Sequence, residues 1–204
     1  MQKCECLIMS KLQSSYIDTR VPQNYITKIG TDIQPFSDVI FGARGQSNSN
    51  YFIELYVDGS TLKFRVKNIT IAHETSIVQD SRGIFEIDVV NKKIKSYGNS
   101  YNISTTFLSD SGNNSTMYIG ALHNNNGTAF SHGSCRFYSL YIDYSNGTQI
   151  YHISMQPCYV KTGKTFKDIK GNTCPAGTIG MYDIINNDFY TNDGDGTFTK
   201  GNDI

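Results

Sequence analysis

The 204-residue sequence has no tryptophan and no excess of either charge, with 18 basic residues against 18 acidic ones. A net charge of zero argues against a general electrostatic hold on nucleic acid or on an anionic membrane, since both reward surplus positive charge. No apolar run is long enough to cross a bilayer as a helix. The segment Met1 to Lys11 has charges inside and just after its apolar part, which makes a poor secretory signal, so the expectation is a chain made in a cytosol unless a longer precursor has been trimmed. Glycine-rich phosphate loops of either common type are absent. His73, His123, His132 and His152 are scattered, and no Ser/His/Asp or Cys/His set can be read from their order. Helical periodicity is missing too: no window keeps apolar residues convincingly at i, i+3, i+4 and i+7.

The five cysteines, Cys4, Cys6, Cys135, Cys158 and Cys174, are an odd number in a chain without a signal, which fits free thiols better than a disulfide framework. Cys158 and Cys174 are the pair able to close a loop under oxidising conditions. Cys4-Glu5-Cys6 lacks a second pair at metal-finger spacing and reads as part of a frayed or strand-forming N-terminus.

What the chain does have is short β-rich runs. With 14 Tyr and 11 Phe it is rich in rings, and its 18 glycines suit many tight turns. Arg136 to Tyr144 and Ile150 to Met155 flank Asn146-Gly147, a pair that tolerates the positive φ of a type I′ hairpin turn. Leu62, Phe64 and Val66 alternate with Lys63, Arg65 and Lys67, so one face is buried and the other wet and basic. Tyr51, Ile53, Leu55 and Val57 alternate before the turn Asp58-Gly59, and Phe85, Ile87 and Val89 alternate with Glu86 and Asp88. Tyr25 to Phe36 reads as a strand ending near Pro35. Gly180 to Phe198 reads as a further hairpin. Many short strands with regular turn signals predict an all-β, two-sheet antiparallel jelly-roll sandwich. Residues 1–11 are expected as an N-terminal extension and residues 12–204 as a single domain.

Several motifs carry a family resemblance: Leu12 to Thr19, Phe41-Gly42-Ala43-Arg44, Ile119-Gly120-Ala121, Phe137 to Ile142, Gly180 to Asp183 with Asn187, Phe189 to Asn192, and Gly196-Thr197-Phe198. In order and spacing they resemble the concanavalin A-like lectin/glucanase superfamily, in the laminin-G-like jelly rolls of gut bacteriophage and gut bacterial proteins. The resemblance implies carbohydrate recognition or virion structure. The expectation that follows is a non-enzymatic capsid or tail protein of a bacteriophage, located in the virion and made without a signal peptide. Its expected partners are other virion proteins, its own copies and surface glycans, with no nucleic acid and no membrane insertion. The alternative is a bacterial lectin, free or cell-attached. Tyr159 to Cys174 is longer than the family pattern and suggests a contact arm, and Arg20 stands where a small residue is usual.

Function sits in loops grafted on such a fold, so each candidate must stand on its own chemistry. Laminarinase-type glucanases of the superfamily carry Glu-x-Asp-x-x-Glu on one strand. Here Glu86 and Asp88 match, but the acid/base position is Asn91, which can neither donate a catalytic proton nor act as a base. Asn91 begins a turn and is expected to point away, and no glycosidase is expected. Asn192-Asp193-Gly194-Asp195-Gly196 reads as a hairpin turn; the weaker alternative is a calcium site on Asp193 and Asp195. The best candidate for a glycan site lies on two loops, Arg44, Gln46, Asn48, Asn50 and Tyr51 from one and His123, Asn124, Asn125 and Asn126 from the other; the first reading of these residues is that they solvate turns. Amides and guanidinium match sugar hydroxyls, and a ring stacks on a sugar face. The sequons at Asn68, Asn102, Asn113, Asn114, Asn126 and Asn146 follow from Asn-rich turns and are not expected to be glycosylated.

Overall fold

The computed structural model describes residues 1–44, 52–59, 61–66, 69–76, 81–103, 115–123 and 128–204. Within them the backbone forms strands and two single 3-10 turns, with no α-helix. The strands are β1 (Gln2–Lys3), β2 (Leu7–Met9), β3 (Ile17–Pro22), β4 (Ile26–Arg44), β5 (Phe52–Asp58), β6 (Thr61–Val66) and β7 (Ile69–Ser76). They continue with β8 (Gly83–Asp88), β9 (Lys93–Ser96), β10 (Asn99–Asn102), β11 (Thr116–Ile119), β12 (Leu122–His123), β13 (Ala129–Phe130) and β14 (Ser134–Ser145). The last six are β15 (Ile150–Tyr159), β16 (Phe166–Lys167), β17 (Thr173–Cys174), β18 (Ile179–Asp183), β19 (Asp188–Tyr190) and β20 (Thr199–Lys200).

These strands make the expected antiparallel jelly-roll sandwich. The first sheet runs β10, β9, β8, the first half of β4, β14, β15, β18, β19. The second runs β7, β6, β5, the second half of β4, β11, β3, with β12 parallel to the end of β4. Period-two alternation turns Cys135, Phe137, Leu140 and Ile142 of β14 inward against Ile29 and Ile33 of β4 and Ile87 of β8. The second sheet answers with Ile53, Leu55, Phe64, Met117 and Ile119. Phe85 spans the two layers, its ring 6.4 Å from Phe41 and 6.5 Å from Phe64.

Three local expectations change. The strand expected to stop near Pro35 continues to Arg44 and serves both sheets. Proline is tolerated there because β8 ends opposite Ile33 and β5 begins opposite Asp38, so no ladder needs an N–H on that edge. Just beyond, Asp38 takes a φ of 54° and the chain bends into the second sheet. The Asn146-Gly147 hairpin forms, but not as type I′: only Gly147 has positive φ, and the loop is four residues long between Ser145 and Ile150. The Asn146 side chain prefers to accept from the N–H groups of Thr148 and Gln149, each at 3.0 Å, which closes a wider turn. Residues 1–11, expected as an extension, lie within the sandwich. β1 pairs with β15, β2 pairs with β14 and β20, and Leu7 and Met9 are fully buried.

The long segment after Tyr159 folds back on its own. Val160, Cys174 and Phe189 form a small second cluster, with Phe166 edge-on to Tyr182 and Phe189. Asp168 pins it by accepting from the N–H groups of Lys170 (3.0 Å) and Asn172 (2.8 Å) and from the Thr191 hydroxyl (3.0 Å). All five cysteines are free and buried, and Cys158 and Cys174 are unpaired thiols. Burial pushes the Cys4 thiol up to about 11, so it holds no reactive thiolate at neutral pH.

Because Leu7 is closed on all sides, Leu7→Ala is expected to cost about 2–5 kcal/mol of folding free energy in a urea titration. An unchanged midpoint would mean that β2 is not part of the core.

Candidate functional site

The parallel pairing of β12 with β4 sets His123 opposite Ala43, next to Arg44. Two chain ends therefore leave the second sheet side by side, one at Arg44 and the other at His123. These are the bases of the two loops predicted to hold a glycan, so the fold brings both to one rim. Gln46, Asn48, Asn50, Tyr51, Asn124, Asn125 and Asn126 lie outside the described residues.

His123 is well fixed. Its Nδ1 lies 2.7 Å from the Thr116 carbonyl, and since a carbonyl only accepts, Nδ1 carries the hydrogen. Nε2 is then an acceptor in the neutral ring and has no partner among the described residues. The imidazole stacks on Tyr118 at 4.0 Å, and Tyr118 stacks on Tyr16 at 4.7 Å. Burial pushes the Tyr118 and Tyr16 phenols up, so both stay neutral donors. The rim thus has a rigid aromatic floor behind a histidine acceptor.

The outer face of the first sheet carries the acidic candidates. Alternation places Lys28 and Gly30 of β4, Glu86 and Asp88 of β8, and Tyr141 and Asp143 of β14 on it. A Cβ on Gly30 would stand 2.3 Å from the Tyr141 ring, so only glycine lets that ring lie across β4. From there the Tyr141 hydroxyl donates to Glu86, which also meets Lys95 at 3.0 Å and Lys28 at 3.3 Å. Burial raises the Glu86 carboxyl, but hydrogen bonds from Tyr141, Lys95 and Lys28 outweigh it and hold the group below its ordinary value. The same balance lowers Asp88, where burial is outweighed by Asn91. Asn91 does not point away as expected. Its backbone N–H and its side-chain amide each donate to Asp88 at 2.8 Å, because the turn curls back over the strand end. His152 meets Asp143 at 2.8 Å further along the same face.

The C-terminal loop is a clasp. It is no hairpin turn, since β20 pairs with β2 and not with β19. Asn192 Oδ1 accepts from the Tyr16 N–H at 2.9 Å, and Asp193 Oδ2 from the Asp18 N–H at 2.9 Å. Asp193 Oδ1 is ion-paired with Lys170 and lies 4.0 Å from Arg20. Both carboxylate oxygens of Asp193 are thus engaged by protein donors, while Asp195 lines a shallow depression beside Gln13 and Ser14. Among the described residues, no three His, Cys, Asp or Glu side chains are grouped as a metal ion would need.

One feature had no signal in the sequence. A bulge in β14 sets Phe137 opposite Ile33 and Ser139 opposite Asp32, leaving Tyr138 as the inserted residue. It faces an open groove of about 550 Å³ between Glu5–Ile8, β14 and Lys200–Asp203.

No family model and no curated protein matches the chain. Among solved structures it is similar to the native heptameric SAP-like pentraxin from Limulus polyphemus, with a TM-score of 0.42 and 13% identity over 67% of this chain and 74% of that one. It is also similar to mouse laminin alpha1 chain domains LG4-5, with a TM-score of 0.43 and 14% identity over 90% of this chain and 45% of that one.

The folded Glu86 carboxyl sits below its ordinary value of 4.5, so its contribution is present above that value and is lost as pH falls through the folded one. Glu86→Gln is therefore expected to lower the urea midpoint at neutral pH and to flatten its fall below about pH 4.5. Parallel curves for the two proteins would refute this.

Proposed function

We propose that this jelly roll is a non-catalytic binding module that holds surface glycans at the rim where β4 and β12 end, and that it serves as a structural or decoration protein of a bacteriophage particle. The observation that supports the binding reading is the register of His123 against Ala43, which places the bases of the two amide-rich loops side by side next to the Tyr16–Tyr118–His123 stack. A rigid floor limits the entropy lost when a flexible, hydroxyl-rich ligand is held.

The non-catalytic part is supported by the outer face of the first sheet. A retaining glycosidase needs one carboxyl kept protonated beside one kept ionised. Here Glu86 and Asp88 are both held below their ordinary values, and the third position is an amide committed to Asp88. The virion setting is supported by the motif resemblance in the sequence, with other particle proteins and further copies of the chain as partners.

A glycan array with the full chain is expected to give hits competed by free sugar and weakened about tenfold or more by Arg44→Ala with His123→Ala. No hit, or hits unmoved by the double variant, would reject the rim. Mass spectrometry of purified particles is expected to find the chain; its absence there, with the array hits intact, would favour a free or cell-attached bacterial lectin. Incubation with laminarin or lichenan is expected to release no reducing sugar, and release abolished by Glu86→Gln would overturn the non-catalytic reading.

A further inference from the structure

The groove on the outer face of the first sheet shares no lining residue with the rim, and its chemistry is different. A bulge re-aims the side chain it inserts, and here that side chain is Tyr138. The ring is held before any ligand arrives. The Arg82 guanidinium lies over it at 3.7 Å and is itself fixed by Asp32 through two hydrogen bonds of 3.0 and 2.7 Å. The Tyr138 hydroxyl donates to Gln34 Oε1 at 3.3 Å, and Arg136 Nη1 donates to the same oxygen at 3.1 Å. Ordering a surface tyrosine this firmly is what a preformed platform needs and what a merely solvated ring lacks.

The charges around the ring decide the kind of ligand. The groove is lined by two cations, Arg136 and Lys200, and two anions, Glu5 and Asp203, so its formal charge is zero. Lys200 and Asp203 neutralise one another in a direct ion pair. An anionic ligand would gain no net field and would meet Glu5, while an apolar one would strand these charges without water. A neutral polyhydroxylated ligand fits, because each hydroxyl both donates and accepts and the lining offers both kinds of partner. The groove volume of about 550 Å³ is of the size small-molecule sites use.

We propose that this groove is a second carbohydrate site, specific for neutral pyranosides. Tyr138 is the platform for the sugar's C–H face, Arg136 and Asn202 donate to its hydroxyls, and Glu5 accepts from them. The rim and the groove are independent, so this site stands whether or not the rim binds glycans.

The test is calorimetry and proton NMR titration of the full chain with methyl glycosides of glucose, galactose, mannose and N-acetylglucosamine, with glucuronate and inorganic phosphate as anionic comparisons. Saturable binding of at least one neutral glycoside is expected, with glucuronate and phosphate weaker. Tyr138→Ala should weaken it about tenfold or more, whereas Tyr138→Phe, which keeps the ring and loses only the bond to Gln34, should stay within about threefold. These titrations are made on the chain carrying Arg44→Ala with His123→Ala, so that any binding at the rim is removed and the groove alone is read. Binding by no neutral glycoside, or tighter binding of either anion, in that background would overturn the proposal. So would full binding by a folded Tyr138→Ala protein. If that variant does not fold, Arg136→Ala on the exposed guanidinium decides: a loss of about threefold or more supports the site, and none overturns it.

Discussion

One strand is hydrogen-bonded into both layers of this molecule, and that constraint shapes the rest. From Lys28 to Ile33, β4 has β8 on one edge and β14 on the other; from Asp38 to Arg44 it has β5 on one edge and β11 and β12 on the other. Every buried N–H and C=O along its 19 residues needs a partner, so the strand cannot simply stop where it changes sheets. It passes through a short stretch free of ladder on one edge, where Pro35 sits, and turns at Asp38. The two sheets are therefore covalently registered, and their inner faces meet over Phe41, Phe64 and Phe85.

Both ends of the same strand position chemistry. Its last residues hold β12 in parallel register and so bring Ala43 and His123, distant in sequence, side by side at one rim. Its first half provides the bare backbone at Gly30 over which Tyr141 reaches Glu86. Glu86, Lys28, Lys95 and Tyr141 then form a closed set in which every polar group already has a partner. Such a set holds charge still: it fixes the relation of β8, β4 and β14 without leaving a proton poised to move. Asp193 with Lys170, and Asp168 with Asn172 and Thr191, do the same work at the C-terminal side, each carboxylate tying a loop to a neighbouring strand.

Much of the inside was legible in the residues. Leu62 and Phe64 between basic neighbours, Ile53 and Leu55 before Asp58-Gly59, and Phe85 and Ile87 between acidic residues all turn inward as period two requires. The candidate rim was half legible, because Arg44 and His123 marked loop bases while nothing near either one named the other as neighbour. Pro35 misled because its meaning depends on whether a partner strand faces its nitrogen, which is a property of the neighbour. The Asn91 amide, the Tyr138 bulge and the pairing of residues 1–11 into the sandwich were hidden for the same reason.

The sequence by itself determined which side chains face the core and where the chain can turn, because both follow from local stereochemistry: alternation along an extended backbone, and the positive φ that glycine tolerates. Tertiary structure alone decided which strands are neighbours and in what register. Tyr141 meets Glu86 across 55 residues of chain, and Leu7 lies beside Phe137. Sliding a strand by one residue would send each of these side chains to the opposite face. Local composition cannot specify that choice; the shared burial of two whole sheets does.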